Sequence, residues 1–235
     1  MKISVVLASY NGEKYIKEQL DSICPYLEVE DELLVSDDGS TDNTLNLVRD
    51  YQERYSNIKI TDGNHSGSSS NFASAIPKCS GDIVLFCDQD DIWMPQKIKV
   101  TKDFFLSNPS IDLVMHNAGF CDENGNIFAG DIFDKRNPKT GFIHNLIHSS
   151  YYGCCMMAKR DFLMKCIPLP DNKIPYDQYF SLLAEKRHKA MFLNEKLILH
   201  RYHGNNQSRK MSNIERLKFR MRLLKSVRST LRSHS

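Results

Sequence analysis

Three carboxylates crowd the end of an apolar run in "LFCDQDDIW", Leu85 to Trp93: Asp88, Asp90 and Asp91. Like charges this close repel, and taking them out of water adds to the cost. Two readings are open. The acids form a turn ahead of a helix that starts at Pro95, where the helix dipole favours negative charge. Alternatively, the cluster belongs with a cation. Mg2+ and Mn2+ take oxygen ligands and commonly join one or two carboxylates to phosphates. A D-x-D spacing at a strand end sends Asp88 and Asp90 to the same side.

A second acidic stretch, "SDDGSTDNT", spans Ser36 to Thr44. Gly39 and a cap from Thr41 or Asp42 suit a strand-to-helix turn. That leaves Asp37 and Asp38, adjacent carboxylates at a strand end. A carboxylate there can accept the N3–H of a uracil or thymine ring, with Tyr10 stacked on the same base. Neither G-x-G-x-x-G after the first strand nor G-x-x-x-x-G-K-[ST] occurs, which disfavours a dinucleotide fold and a P-loop enzyme.

The elements that must carry these residues alternate. "ISVVLA", "ELLVS", "NIKIT", "DIVLFC" and "DLVMHNA" read as short apolar strands. Helices are predicted at 13–23, 42–54, 70–77 and 95–106 between them. This rhythm indicates an α/β sandwich. After Ala118 the pattern changes. "FCDENGNIFAG" carries hairpin chemistry, residues 138–150 read as loop and short helix, and "GCCMMA" reads as a strand. Helices follow at 159–166 and 176–186, then strands "AMFL" and "KLILHRY". In open α/β sheets ligands bind beyond the carboxyl ends of the strands. "ASYNG", "SDDGSTD" and "CDQDD" all fall there, so three local clusters become one candidate site.

Bulk properties set limits. The chain has 235 residues, 41% hydrophobic and 26% charged, ordinary for a globular protein. The opening apolar run is too short for a leader, and none approaches the roughly 20 residues that cross a bilayer. Seven cysteines, odd in number and without a CxxC pair, predict free thiols in a reducing compartment. Net charge is +2 but uneven. Residues 209–235 hold nine Lys/Arg against Glu215, net +8; the rest holds 22 basic and 28 acidic residues, net −6.

Three stretches carry a resemblance: "VVLASYNGEKYIKEQLDSI", "ELLVSDDGSTDNT" and "LFCDQDDIWMPQKI" resemble the family-two glycosyltransferases. The likeness covers residues 1–205. It implies the Rossmann-like GT-A fold, a three-layer α/β sandwich on a mixed, mainly parallel central sheet. It further implies an inverting, metal-dependent transferase using a nucleotide diphosphate sugar with Mn2+ or Mg2+. By position, Tyr10 and Asp38 match the base-binding residues, and Asp88 and Asp90 the D-x-D, with Asp90 as metal ligand. "IPYDQYFSLLA" resembles the segment in which an Asp opens a helix under the acceptor, making Asp177 the catalytic base. Its bland alternative is a helix N-cap. Many relatives have Glu or His before that Asp, where Tyr176 stands here.

"HRYHGNNQS", His200 to Ser208, is similar to the closing segment of a subgroup that builds bacterial surface polysaccharides and includes rhamnosyltransferases. This implies a second metal ligand, His203, reaching the ion or diphosphate; otherwise His203 and Asn205 are loop residues. In "YYGCCMMA" Gly153 would allow close approach of the acceptor. The resemblance divides the chain into a glycosyltransferase domain at 1–208, with nucleotide-sugar half 1–118 and acceptor half 119–208, and a basic tail at 209–235. It points to dTDP-rhamnose or a UDP-hexose as donor and a lipid-linked glycan as acceptor. A non-catalytic nucleotide-sugar-binding protein of the same fold is the alternative. A phosphoacceptor receiver domain does not fit, because the paired acids follow the second strand.

The tail from Ser212 to Leu231 reads as an amphipathic helix. Ile214, Leu217, Met221, Leu224, Val227 and Leu231 follow three-four spacing among Arg and Lys. Such a helix packs on the body or docks on anionic lipid headgroups. An acidic body without an aromatic-basic surface argues against nucleic acid. The expected place is the cytoplasm, or the cytoplasmic face of the inner membrane.

Overall fold

The computed structural model describes residues 1–171, 173–203 and 212–233. The first half builds β1 (Ile3–Ser9), α1 (Ile16–Ile23), β2 (Glu32–Asp37), α2 (Thr44–Gln52), β3 (Ile58–Asp62), α3 (Ser68–Ala75) and β4 (Ile83–Asp88). A two-residue β5 (Ile92–Trp93), α4 (Lys97–Ser107) and β6 (Leu113–Cys121) follow. The second half adds β7 (Ile127–Asp131), α5 (Ile132–Arg136), α6 (Phe142–Ile147), β8 (Met156–Lys159), α7 (Arg160–Met164), α8 (Tyr176–Lys186), β9 (Ala190–Arg201) and α9 (Asn213–Ser233).

Among the described residues nine strands form one mixed sheet in the order β3-β2-β1-β4-β8-β6-β9-β5, with β7 paired to β6. The β3-β2-β1-β4 half is parallel throughout. The apolar runs of β2, β1 and β4 are buried, as expected of strands covered on both faces, while the edge strand β3 is only partly so. Antiparallel pairs enter with β8, which lies between β4 and β6. Register aligns the strand ends: Ser9 lies opposite Asp37, and Ala8 opposite Asp88. The two loops beginning at Tyr10 and Asp38, and Gln89 after β4, therefore leave the same edge together. The division between residues 118 and 119 falls inside β6, whose nine residues are all buried.

Several boundaries differ from the sequence reading. "AMFL" and "KLILHRY" are one strand, β9. Its register shifts opposite His116, Asn117 and Ala118, and a bulge absorbs the polar "NEK" without ending the strand. Asn117 Nδ2 donates to Asn194 Oδ1 at 2.9 Å within it. "GCC" is a 3-10 turn ahead of β8. Pro95 stands outside α4, because β5 pairs with β9 first and the helix begins only at Lys97. The acids of "DQDD" therefore do not cap that helix, whose N-cap is Gln96. Helix α5 is unforeseen; Asp131 caps it, accepting from the Asp134 N–H at 2.8 Å.

All seven cysteines are free and buried. Helix α9 packs on the body along its later turns and leaves its first turns exposed. Leu223 and Val227 are fully buried, and the Tyr179 and Thr230 hydroxyls meet at 2.5 Å between α8 and α9. Ile214, Leu217 and Met221, in its first turns, are exposed. Asn205 and the rest of 204–211 lie outside the described residues.

Candidate active site

The loops after β1 and β2 brace each other through side chains that replace missing backbone partners. Asn11, at φ 47°, accepts from the Thr41 N–H at 2.8 Å, while its own N–H donates to Ser40 Oγ at 2.9 Å. The Gly12 N–H donates to Thr44 Oγ1 and the Glu13 N–H to Asp42 Oδ2. Tyr10 is held out at the rim, 58% exposed. Gln89 accepts from the Tyr10 N–H at 2.9 Å and donates to the Tyr10 carbonyl at 3.1 Å. A side chain at Gly12 would collide with Gln89, so that glycine makes room for the clasp.

Asp37 and Asp38 differ sharply. Asp37 accepts from Ser9 Oγ, Ser40 Oγ and the N–H groups of Gly39 and Ser40, which closes the turn. The Asp38 carboxylate is held at one oxygen, where Oδ2 accepts from the Gly67 N–H at 2.8 Å. Its Oδ1 is buried without a partner among the described residues. An orphaned acceptor of this kind suits a ligand N–H donor.

At the end of β4 the acids also divide. Asp91 is buried and accepts from His200 Nδ1 at 2.9 Å and from the Arg201 N–H at 3.1 Å. Burial opposes its charge, but His200 and Arg201 hold its carboxyl below the usual range. Burial likewise opposes charge on His200, yet Asp91 overrides it and the imidazole is pushed up to about 12. The two form a buried ion pair. Arg201, 1% exposed, donates from Nε to the Asp90 carbonyl at 2.8 Å and from Nη1 to the Glu123 carbonyl at 2.9 Å, and Nη2 reaches Glu18 Oε2 at 2.5 Å. Asp90 Oδ2 lies 2.8 Å from His203 Nε2. Burial, then Asp91 and Asp90, push Asp88 up to about 8. Burial and Asp91 also raise Asp90, against the pull of His203.

Asp177 stands second in α8, whose N-cap is Pro175. Its Oδ1 accepts from the Gln178 N–H at 2.8 Å, and burial pushes the carboxyl up to about 6. Its charge is felt at Asp88. Tyr176 ties the helix start to α3 through Ser69 Oγ at 3.2 Å and packs on Phe72. A side chain at Gly153 would overlap the Tyr176 hydroxyl. Gly153 thus makes room for Tyr176 rather than for an acceptor.

Carboxylate oxygens and an imidazole nitrogen at Asp90 and His203 are donors that fit Mn2+ or Mg2+, and the raised Asp88 and Asp90 mark surplus negative charge that a cation would relieve. A second trio, Asp91, Cys154 and His200, brings its ligand atoms within 4.8 Å of one another. It fits a hard ion poorly. The Cys154 thiol is pushed well up by its hydrogen bond with the Cys155 thiol and by burial, and His200 Nδ1 is engaged with Asp91. The sequence reading missed Gln89, His200 and Arg201. In the sequence Arg201 shows only as a cation two positions past the apolar run "LIL", which does not tie it to "DQDD".

The mixed α/β sheet, with acids gathered beyond its parallel strands, is that of the GT-A glycosyltransferases to which the solved structures below belong. The chain belongs to glycosyltransferase family 2: the model for "Glycosyl transferase family 2" matches residues 4–167. It is 30% identical over 221 residues to a dTDP-rhamnosyl transferase of Shigella flexneri, RfbG, across 86% of this chain and 73% of the relative. A poly(ribitol-phosphate) beta-N-acetylglucosaminyltransferase of Staphylococcus aureus, TarS, is 31% identical over 194 residues, 78% of this chain but 32% of the relative. The solved TarS 1–349 structure with UDP-GlcNAc shares the fold at a TM-score of 0.74 and 24% identity, across 95% of this chain and 65% of that one. Glucosyl-3-phosphoglycerate synthase of Mycobacterium tuberculosis, solved with Mn2+ and UDP, does so at 0.62 and 20%, across 97% and 79%. The chain thus spans from about a third to about four fifths of these proteins.

Proposed function

We propose that the protein transfers a sugar, with inversion, from a pyrimidine nucleotide diphosphate donor to a glycan acceptor in bacterial surface polysaccharide synthesis. The observation carrying this reading is the gathering of Tyr10, Asp38, Asp88 and Asp90 at one sheet edge, with Asp177 close enough to raise Asp88. Residues 1–118 serve the donor, 119–208 the acceptor, and 209–235 form the basic tail. Tyr10 stacks on the base and the orphaned Asp38 oxygen accepts its N3–H. Asp88 faces the ribose, and Asp90 with His203 would hold Mn2+ or Mg2+. A bound ion of this kind neutralises charge on the departing diphosphate. Asp177 takes the proton of an acceptor hydroxyl as that oxygen bonds to the anomeric carbon from the opposite face. The bond to the diphosphate breaks and its electron pair leaves with the phosphate, so one displacement inverts the centre.

The donor choice, dTDP-rhamnose or a UDP-hexose, draws on the activity of RfbG and on the UDP-GlcNAc bound to TarS; the choice of ion draws on the Mn2+ bound with UDP in the mycobacterial synthase. The acceptor is a lipid-linked glycan, met where the exposed Ile214, Leu217 and Met221 ridge of α9 and its basic flanks touch anionic headgroups. No helix among the described residues is long and apolar enough to cross a membrane. The test is thermal shift against UDP- and dTDP-sugars with Mn2+, since a ligand of the folded state raises apparent stability. No shift with any donor rejects the reading. Binding without transfer or donor hydrolysis favours a non-catalytic nucleotide-sugar-binding protein.

A further inference from the structure

A concavity of about 590 Å3 opens where β6, β7 and the end of β9 meet, lined by Phe120, Phe128, Gly130, Asp134, Lys135 and Tyr202. Its walls are aromatic. Phe120 and Phe128 stack at 5.7 Å between centroids, and Tyr202 lies 5.3 Å from the first and 5.8 Å from the second. Phe128 is 43% and Tyr202 38% exposed, so these rings keep faces in water. Charged groups share the same walls. Lys135 Nζ donates to the Tyr202 hydroxyl at 2.9 Å, and Asp134 stands exposed on the same short helix.

One short stretch of chain links the pocket to the acidic site. The Tyr202 N–H donates to the Cys121 carbonyl at 2.9 Å, and the next residue, His203, meets Asp90 at 2.8 Å. Two consecutive residues therefore serve the aromatic wall and the D-x-D loop. A pyranose ring matches both kinds of wall. One face carries C–H bonds of slight positive character, which suit the negative face of an aromatic ring. Its rim carries hydroxyls that bond to a carboxylate or an ammonium. An acyl chain would leave Asp134 and Lys135 desolvated and unanswered. The volume lies within the range of small-molecule sites, roughly 300–1,000 Å3.

We propose that this pocket is a saccharide subsite that holds a pyranose ring of the acceptor glycan against Phe128 and Tyr202, with its hydroxyls on Asp134 and Lys135. Its role as an acceptor site rests on the transferase reading; its binding of a sugar does not. The test uses the full chain, with saturation-transfer NMR on methyl α-L-rhamnopyranoside and methyl N-acetyl-β-D-glucosaminide. UDP and dTDP with Mn2+ are titrated in parallel. At least one glycoside should receive saturation, reduced roughly fivefold in Phe128→Ala and in Asp134→Asn, with melting and nucleotide binding unchanged. Absence of signal from both glycosides, or equal signal in the variants, overturns the proposal while retained nucleotide binding leaves the donor reading standing. Glycoside binding that depends on Phe128, without nucleotide binding, upholds the subsite and fells the donor reading. Self-association lost in Phe128→Ala, with no glycoside signal, overturns it in favour of a protein interface.

Discussion

The loops after β2 and β4 solve one problem by opposite means. Each presents neighbouring carboxylates at a strand end, and in each one acid takes more donors from the protein than its neighbour does. After β2 the tied acid is Asp37, held largely by its own turn, Gly39 and Ser40. After β4 it is Asp91, held by His200 and Arg201, over 100 residues away. The first loop is shaped by local hydrogen bonds. The second takes its shape from a distant strand and from a buried ion pair. Local capping is cheap to build, whereas a buried pair stabilises only while both partners remain.

The sharpest separation of binding from chemistry comes from Asp177, outside both loops. Asp177→Asn should lower turnover by roughly 10²–10⁴ while both loops still bind nucleotide, measured by transfer rate and titration. Near-normal turnover would remove it as the base. Its raised carboxyl adds a pH signature. A base works only when ionised, so turnover should rise with pH through about 6. The folded state also holds this proton more tightly than the unfolded chain, whose carboxyl ionises near 3.8. The stability Asp177 contributes is thus present below about 3.8 and lost as pH rises through about 6. Asp177→Asn should therefore melt higher than the parent at pH 7.5 and alike at pH 4.

The comparison between the loops breaks or holds on the tied acids. Asp91→Ala removes the carboxylate that keeps the partly buried His200 charged and that accepts from the Arg201 N–H, and should cost about 3–5 kcal/mol by denaturant unfolding. Asp37→Ala removes the hydrogen bonds that a buried carboxylate accepts from its own turn but strands no opposite charge, and should cost about 1–3 kcal/mol. Equal losses would end the distinction. The ligand-facing acids should behave differently again. Asp90→Ala should reduce Mn2+-dependent donor affinity roughly tenfold or more with little change in melting. Unchanged binding with and without Mn2+ would reject the metal role. Smallest is Asp38→Asn, expected to weaken pyrimidine nucleotide binding by about 1 kcal/mol in calorimetry.

The same contrast explains what the sequence could say. The α/β rhythm, the shared edge and helix 176–186 were legible because apolar runs and turn residues act within a few positions. The turn around Gly39 was legible for the same reason. Arg201 and His200 were not, since nothing near them in the chain refers to "DQDD". Pro95 suggested a helix start that the β5–β9 pairing pushed to Lys97, a tertiary contact overriding a local signal. The bulge in β9 hid behind "NEK", polar residues that read as a break. Gly153 read as space for a substrate, and only packing shows Tyr176 filling it.

The Arg201 side chain reaches the Asp90 carbonyl across 111 positions. During synthesis, residues 1–118 leave the ribosome well before their own acidic loop has its anchor. Donor binding should therefore mature late, as the last strand closes the sheet, and contacts of such long range slow folding. A fragment ending at Ala118 would keep "SDDGSTD" and its local turn but lose the strand that shapes "DQDD". The shape of the "DQDD" loop is then a property of the whole sheet, acquired at its final step.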